Sequence, residues 1–138
     1  MALGTFEVHA GDFKPGKFHQ LVRDPLYFFG GKHKKWNLVM NTAGLSRETI
    51  PLSHILELEI ASEESVNKLG GAIGWGIAGE VLLGPIGLLA GLLRGGRGNQ
   101  VTFVCKLNDG RKFLATAPSS VFSEMRLALA TSKFDRDH

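Results

Sequence analysis

The sequence is short of cysteine, of net charge and of paired histidines, and each shortage excludes a class of protein. Only one of the 138 residues is cysteine (Cys105), so an internal disulfide and a Cys-rich zinc site are both excluded. Sixteen Lys and Arg residues against 13 Asp and Glu give a formal net charge of +3, which is too low for a dedicated nucleic-acid arm. The histidines stand apart, without metal-ligand spacing, at His9, His19, His33, His54 and His138. We therefore predict no metal centre and no cofactor.

Signatures of catalysis and of nucleotide binding are also missing. The glycine-rich part of the chain has no Gly-Lys-Ser/Thr, and the glycines from Gly70 to Gly74 lack the preceding strand and later acid of a dinucleotide fold. Cys105 alternates with Phe103 and Leu107, which is typical of a small buried side chain rather than a nucleophile. Because no acid, base and nucleophile can be matched, we expect a protein that is not an enzyme, and we identify no small-molecule substrate.

The residue in excess is glycine, and most of it lies in one segment. Eleven of the 18 glycines fall between residues 70 and 98, and residues 69–93 carry a single charge, Glu80. One continuous helix of that length would rise about 37 Å, enough to cross a hydrocarbon core of roughly 30 Å. Gly84-Pro85 interrupts it, because proline removes a backbone donor and disfavours helical geometry in the preceding residue. The sequence therefore predicts an apolar helical hairpin or re-entrant loop, with arms of about 21 and 14 Å, each too short to span a bilayer.

This insert, residues 69–98, is expected to make its contacts through glycine. Glycines spaced by four leave a strip of helix without side chains, along which a second helix can approach closely. Such packing would offset the cost of helical glycine, about 1 kcal/mol each relative to alanine. The residues predicted for assembly or membrane contact are Gly70, Gly74, Trp75, Gly84, Pro85, Gly87, Gly91 and Gly95.

The sequence is compatible with three surfaces that would bury the insert: its own domain, neighbouring subunits of a homo-oligomer, or lipid. Glu80 disfavours lipid, because a carboxylate in the bilayer is costly. Lys68, Arg94 and Arg97 favour lipid, because they place cations at both ends of the insert, where anionic headgroups lie. A segment this apolar is expected to be buried somewhere.

Basic residues beside an aromatic ring give an alternative function. Cations can bind phosphate while the ring stacks on a base, so this cluster predicts binding to nucleic acid or to anionic headgroups. The competing interpretation is a solvated turn before a strand in which Trp36 packs inward. The candidate anion-binding residues are Lys32, Lys34, Lys35, Trp36, Arg94 and Arg97.

Outside the insert, turn signals predict two β-hairpins. Ala43-Gly44 separates the strands of the first, and Asp109-Gly110 supplies the positive φ that a tight turn needs in the second. The four strands are residues 36–42, 45–50, 101–107 and 112–116. A further strand alternates over residues 55–60, with Leu56, Leu58 and Ile60 predicted on the buried face and Glu57 and Glu59 on the wet face.

The C-terminal end of the chain shows a clear helical pattern of apolar residues, whereas the pattern at the N-terminal end is interrupted. After Pro118, apolar residues spaced by three and four predict an amphipathic helix of about four turns, with a frayed tail over residues 135–138. Residues 1–36 are rich in aromatics but interrupted, and there we predict short strands and one helical turn around Phe18–Arg23. The apolar face of the C-terminal helix is Val121, Phe122, Met125, Ala128 and Leu129.

The runs Leu45–Ile60 and Val101–Ala117, followed by the closing helix, resemble small bacterial pleckstrin-homology-like (PH-like, GRAM-like) domains. The resemblance covers roughly residues 36–64 and 99–132. It implies an α+β fold, with a strongly bent antiparallel sheet or partial barrel capped at one end by the last helix, and a binding rather than catalytic role. The glycine-rich insert between two strands departs from that pattern. We expect a single PH-like domain over residues 1–138, interrupted by the insert.

The N-terminal residues predict the compartment. Residues 1–9 show neither an apolar h-region nor a basic n-region, so we expect no signal peptide. The expected location is the cytoplasm, where the inner face of the membrane is the surface available for attachment.

Overall fold

The computed structural model describes residues 2–14, 16–23, 36–42, 46–69 and 99–136. Within these ranges the chain forms strands and two helices, and a 3-10 turn at Leu52–His54 joins the fourth strand to the fifth. The strands are β1 (Ala2–Gly11), β2 (Gly16–Arg23), β3 (Trp36–Asn41), β4 (Arg47–Pro51), β5 (Ile55–Ile60), β6 (Gln100–Leu107) and β7 (Lys112–Pro118); the helices are α1 (Glu63–Leu69) and α2 (Ser119–Arg136).

The seven described strands form one antiparallel sheet in the order β4-β3-β2-β1-β7-β6-β5. Neighbouring strands follow one another in the chain, except where β1 pairs with β7 and joins the two halves. The sheet curls into a half-barrel, and α2 packs against its inner face and against the 3-10 turn. The predicted α+β fold, with a bent antiparallel sheet and a C-terminal helix, is confirmed.

The core lies between the inner face of the sheet and α2. Phenylalanine rings from four elements meet there, with Phe13 edge-on to Phe113 at 5.5 Å between centroids and Phe103 against Phe122 of α2 at 5.3 Å. Rings in this arrangement add about 0.5–1.5 kcal/mol per pair beyond the burial of their area. All five apolar residues predicted for the C-terminal helix are buried in this core.

A glycine lets α2 approach the first strand. The inner face of β1 carries Gly4, where a Cβ atom would lie 2.5 Å from Cγ2 of Val121. Any side chain at this position would overlap the first turn of α2, so the close contact between strand and helix depends on the missing Cβ.

Both predicted hairpins are confirmed. β3 pairs with β4, with Asn41 opposite Arg47. β6 pairs with β7 around Gly110, whose φ of +94° is the left-handed conformation predicted from Asp109-Gly110. The N–H of Gly110 donates to the carbonyl of Leu107 at 3.1 Å and closes the turn.

The helical turn predicted around Phe18–Arg23 is wrong. These residues belong to β2, which pairs with β1 and β3. His19 and Leu21 both point into the core and are fully buried, which gives the period of two that a strand requires. The sequence conceals this period because one of the inward positions is a histidine.

The predicted alternation of β5 is only partly correct. Leu58 is buried as predicted, but Leu56 is 49% exposed and Ile60 is 57% exposed. The pairing with β6 is irregular between Ile55 and Glu57, so that Ile55 rather than Leu56 faces the core. Ile60 is the last residue of a strand at the edge of the sheet, where cover from neighbouring elements ends.

Two helical boundaries also differ from prediction. α2 continues to Arg136, so its last turn includes residues predicted to fray. α1 was not predicted, although the spacing Ser62-x-x-Ser65 marks its start. Ser65 N–H donates to Ser62 Oγ (3.1 Å) and Ser62 N–H donates to Ser65 Oγ (2.8 Å), a reciprocal capping box that satisfies two backbone donors. The helical hairpin predicted for the insert lies outside the described residues.

Candidate functional site

The insert joins the fold at two neighbouring points. β5 and β6 stay paired up to Ile60 opposite Phe103, and the N–H of Ala61 donates to the carbonyl of Thr102 at 2.8 Å. On the returning side, the carbonyl of Asn99 accepts from the N–H of Ser119 at 2.8 Å. Residues 70–98 therefore leave and re-enter the sheet at the same end of two adjacent strands.

Helix α1 carries the chain from β5 to the start of that segment. Val66 is fully buried, and Ser65, which is also buried, donates from its hydroxyl to the carbonyl of Ile60 at 3.1 Å. These contacts hold the seven-residue helix firmly against the end of β5, although a helix this short is marginal by itself.

Lys68 fixes the last turn of α1 over the sheet. Its Nζ lies 3.1 Å from Oε1 of Glu59 and 3.9 Å from Oε2 of Glu57, both on the face of β5 that points away from the core. The hydrogen bond that Lys68 donates to Glu59, together with the charges of these carboxylates, raises the pKa of Lys68 above its usual value. The cation predicted to meet headgroups at this end of the insert is thus already paired with acidic side chains.

Of the residues predicted for contact or anion binding, the described part of the chain includes Trp36 alone. Trp36 begins β3 opposite Arg23 and packs, partly buried, against the hydrophobic core. That position agrees with the inward-packing interpretation rather than with a ring free to stack on a base. The predicted residues outside the described ranges are Gly70, Gly74, Trp75, Gly84, Pro85, Gly87, Gly91, Gly95, Lys32, Lys34, Lys35, Arg94 and Arg97.

The outer face of the sheet, opposite the core and α2, carries a buried apolar row. Ala10, Leu114 and Val104 are directly opposite one another across β1, β7 and β6, and Glu59 of β5 continues the row. Leu114 and Val104 are 0% exposed, although neither belongs to the core on the inner face. This buried row was not predicted, because these residues lie in nearly continuous apolar runs that do not distinguish the two faces.

A polar row lies beside it on the same face. Thr116 Oγ1 is 2.8 Å from Thr102 Oγ1 and 2.9 Å from Nε2 of His9, so three strands are linked by side-chain hydrogen bonds. Burial lowers the pKa of His9, and the carboxylate of Glu7, 3.9 Å from Nδ1, opposes this effect. No local pattern predicts this contact, because His9 and Thr116 are 107 positions apart.

A cleft of about 320 Å³ lies where the β6–β7 turn meets β4 and the 3-10 turn. Its charged groups are already paired: the guanidinium of Arg111 contacts Oε2 of Glu48 at 2.6 Å and Oδ2 of Asp109 at 2.8 Å. The same guanidinium lies 5.0 Å from the ring centroid of Phe13. The backbone N–H of Arg111, together with its side chain, holds the pKa of Asp109 below its usual range. Arg111 therefore ties the turn to β4 and offers no uncompensated charge to an anion.

The described residues give little support for chemical reactivity. Cys105 is fully buried, as predicted, and this burial raises the pKa of its thiol, which keeps it protonated. No group of three or more potential metal ligands occurs within the described ranges. In that same part of the chain, no helix combines the length and the apolar character needed to cross a bilayer.

Comparison with protein-family models, with curated proteins and with solved structures found no match.

Proposed function

We propose that this protein is a non-enzymatic, PH-like binding or assembly module, which self-associates or attaches to a membrane through the glycine-rich insert, residues 69–98. The PH-like assignment is supported by the bent antiparallel sheet and by the C-terminal helix packed on it, which is the architecture that the resemblance implies. In this proposal the sheet is the scaffold and the insert, an apolar helical hairpin, makes the contact.

The observation that carries this proposal is the attachment of the insert. Because residues 70–98 leave and re-enter at neighbouring points of one hairpin, the sheet can close without them. The scaffold does not need this segment for its strand pairing. Because its 25 most apolar residues carry one charge, we expect the segment to bury its apolar surface in contact with another surface.

The glycine strip is the part of the insert that the proposal makes responsible for contact. Replacing Gly87, Gly91 and Gly95 together by leucine should abolish assembly or liposome binding, because side chains would keep helices from approaching to backbone distance. The measurements are sedimentation of the purified protein with and without detergent, and flotation with liposomes. A large oligomer without detergent indicates packing between subunits, and a requirement for detergent indicates lipid.

The matched control is the same triple replacement by alanine. Alanine keeps the strip narrow and favours helix by about 1 kcal/mol per residue over glycine, so this variant should behave as the original protein. If sedimentation and flotation were unchanged in the leucine variant, the glycine strip would have no role in assembly or in liposome binding.

Binding of nucleic acid or anionic headgroups by the basic residues stays the alternative prediction. Two cations of the described chain, Lys68 and Arg111, are each paired with two carboxylates, and Trp36 packs against the core. Of the candidate anion-binding residues, Trp36 is the one in the described chain, and its packing against the core favours the insert over stacking on a base.

A further inference from the structure

We propose that the cleft between β4 and the β6–β7 turn binds the alkylammonium group of a lysine side chain from a partner protein. All of the residues that line the cleft belong to the described scaffold. Its volume of about 320 Å³ is at the small end of the range for ligand pockets, about 300–1,000 Å³. The cleft therefore suits one long side chain rather than a nucleotide or a sugar.

The charged groups of the cleft leave an excess of negative charge. The guanidinium of Arg111 contacts the carboxylates of Glu48 and Asp109 at 2.6 and 2.8 Å. Because the backbone N–H of Arg111 also donates to Oδ1 of Asp109 at 3.0 Å, Asp109 is held at both of its oxygens. Glu48 is contacted through Oε2, and its side chain is 42% exposed. Two carboxylates thus face one guanidinium, and Glu48 is the carboxylate that can pair with a second cation.

The arrangement of these charges distinguishes one kind of cation from another. A guanidinium group pairs best with a carboxylate through two parallel hydrogen bonds, and both carboxylates of the cleft already contact Arg111. An ammonium group is a compact charge whose three donors can reach separate acceptors. Besides Glu48, the lining contains the carboxamide of Asn108 and the imidazole of His54. Lysine therefore fits the cleft better than arginine does.

An apolar part of the lining suits the stem of a lysine side chain. Ile50 of β4 and Leu107 of β6 both line the cleft, and both belong to the hydrophobic core. Lysine carries its charge on an apolar stem that packs favourably against such side chains, while the charged head stays at the surface. The cleft thus places an apolar contact beside an acidic group, which is the combination that an alkylammonium ligand requires.

Contacts between elements hold the lining in place before any ligand binds. The guanidinium of Arg111 lies 5.0 Å from the ring centroid of Phe13. The N–H of Asn108 donates to the carbonyl of His54, and the N–H of Leu107 donates to the carbonyl of Arg111, both at 2.8 Å. Because these groups are already ordered, binding costs little additional conformational entropy in the protein.

The position of the cleft favours a protein partner and separates this site from the insert. β4 is an edge strand of the described sheet, so a second polypeptide can lie alongside it. The cleft is at the end of the sheet where β6 turns into β7, whereas the insert attaches where Ile60 pairs with Phe103, at the other end of β6. Lysine binding here goes beyond the proposed function and does not depend on it.

Titration of the full chain with butylammonium chloride, followed by NMR, tests the site. The methyl signals of Ile50 and Leu107 should shift and reach saturation. At the same ionic strength, ammonium chloride supplies the head alone, butanol the stem alone and propylguanidinium the other cation, and each should bind more weakly. Binding of propylguanidinium or of acetate as tight as that of butylammonium would overturn the proposal.

Glu48→Gln tests the carboxylate, with Glu124→Gln as the matched control. The first variant should bind butylammonium up to about fivefold more weakly, which is the range for an exposed ion pair, and high salt should reduce this difference. Glu124 is exposed on α2 and does not line the cleft, so Glu124→Gln should bind as the original protein does. Equal weakening in both variants would contradict a defined site. If Glu48→Gln does not fold, Asn108→Ala, at an exposed position, should weaken binding in the same direction.

Two further probes identify the source of the ammonium group. Nα-acetyl-lysine methylamide represents a lysine within a polypeptide, and 1,4-diaminobutane represents a free amine. The lysine derivative should bind at least as tightly as butylammonium, with shifts at the same methyl signals. Binding of the diamine without binding of the lysine derivative would contradict a protein partner.

Discussion

His19 is a histidine that its surroundings keep uncharged. Its Nδ1 accepts from the N–H of Asn41 at 3.2 Å, so Nε2 carries the proton and donates to the carbonyl of Lys14 at 2.7 Å. The ring therefore ties the β1–β2 turn to the end of β3 and stacks against Phe6 at 5.7 Å. Burial lowers the pKa of His19 from its ordinary value of 6.5, and the bond to Lys14 opposes this only in part.

This environment predicts a loss of stability in mild acid. As the pH falls through 6.5, the unfolded chain binds a proton at residue 19 while the folded chain does not, so the free energy of unfolding decreases. The slope is limited to about 1.4 kcal/mol per pH unit for each such group, and His9, whose pKa is also lowered, acts in the same direction. Urea unfolding between about pH 7.5 and 5.5 measures the effect.

The matched variants are His19→Gln and His54→Gln. Glutamine at residue 19 should lower stability at neutral pH but flatten its dependence on pH, because the titrating group is gone. His54 is exposed, so His54→Gln serves as the control for replacing a histidine outside the core. If the free energy of unfolding of His19→Gln changed with pH as much as that of the original protein, residue 19 would not be the source of the pH dependence.

At the scale of elements, the docking of α2 on β1 depends on Gly4. We expect Gly4→Ala to reduce the free energy of unfolding by about 1–3 kcal/mol, because the added methyl group overlaps Cγ2 of Val121. Adding Val121→Ala to the same chain should recover part of this loss. The double variant should then lose less unfolding free energy than the two single variants lose together. Thr5→Ala, at the exposed neighbour of Gly4, serves as the control. Strict additivity of the two changes would mean that the helix moves away rather than meeting the methyl group.

The elements that were predicted correctly are those whose signal is local. Asp109-Gly110 fixes a turn by its backbone conformation, and the five apolar residues of α2 recur at helical spacing. β2 was missed because His19 occupies a core position, and its partners lie on other elements. The exposure of Leu56 was missed because it depends on an irregular pairing with β6, which the sequence of β5 alone does not encode.

The candidate site likewise combines features that local sequence predicts with features that depend on distant residues. The apolar character of the insert can be read from composition, because charge acts locally, whereas the break predicted at Gly84-Pro85 stays a prediction. The pairing of Lys68 with Glu57 and Glu59, and the buried row through Leu114, arise from cross-strand register. Register is set by the whole sheet, so no window of sequence contains it.

For the whole molecule, the strand pairing predicts that the insert is dispensable for folding. Deleting residues 70–97 and joining the ends by a short turn should leave a folded, soluble monomer that unfolds cooperatively, because β5 and β6 remain paired and the inner core is intact. Circular dichroism, urea unfolding and sedimentation measure this.

The thiol of Cys105, on the inner face, gives an internal control for that deletion. It should stay unreactive in the deleted chain as in the full one, because the strands around it remain paired. An unfolded deletion variant would mean that the segment belongs to the core and is not an insert.

The pairing of β1 with β7 also determines how the chain must fold. It brings together residues more than 100 positions apart, such as His9 and Thr116, so the sheet cannot form from sequential hairpins alone. Chains dominated by such distant contacts fold slowly, because loop entropy is lost before the contacts are gained. Loop-closure entropy grows only with the logarithm of length, so residues 70–98 add about 0.3 kcal/mol to the closure that joins β1 to β7. For the closure that pairs β5 with β6 directly, the same segment lengthens the loop about threefold and adds about 1 kcal/mol. The fold therefore accommodates a long segment between β5 and β6 at a modest kinetic cost, and its length can vary with only a weak effect on the rate at which the sheet forms.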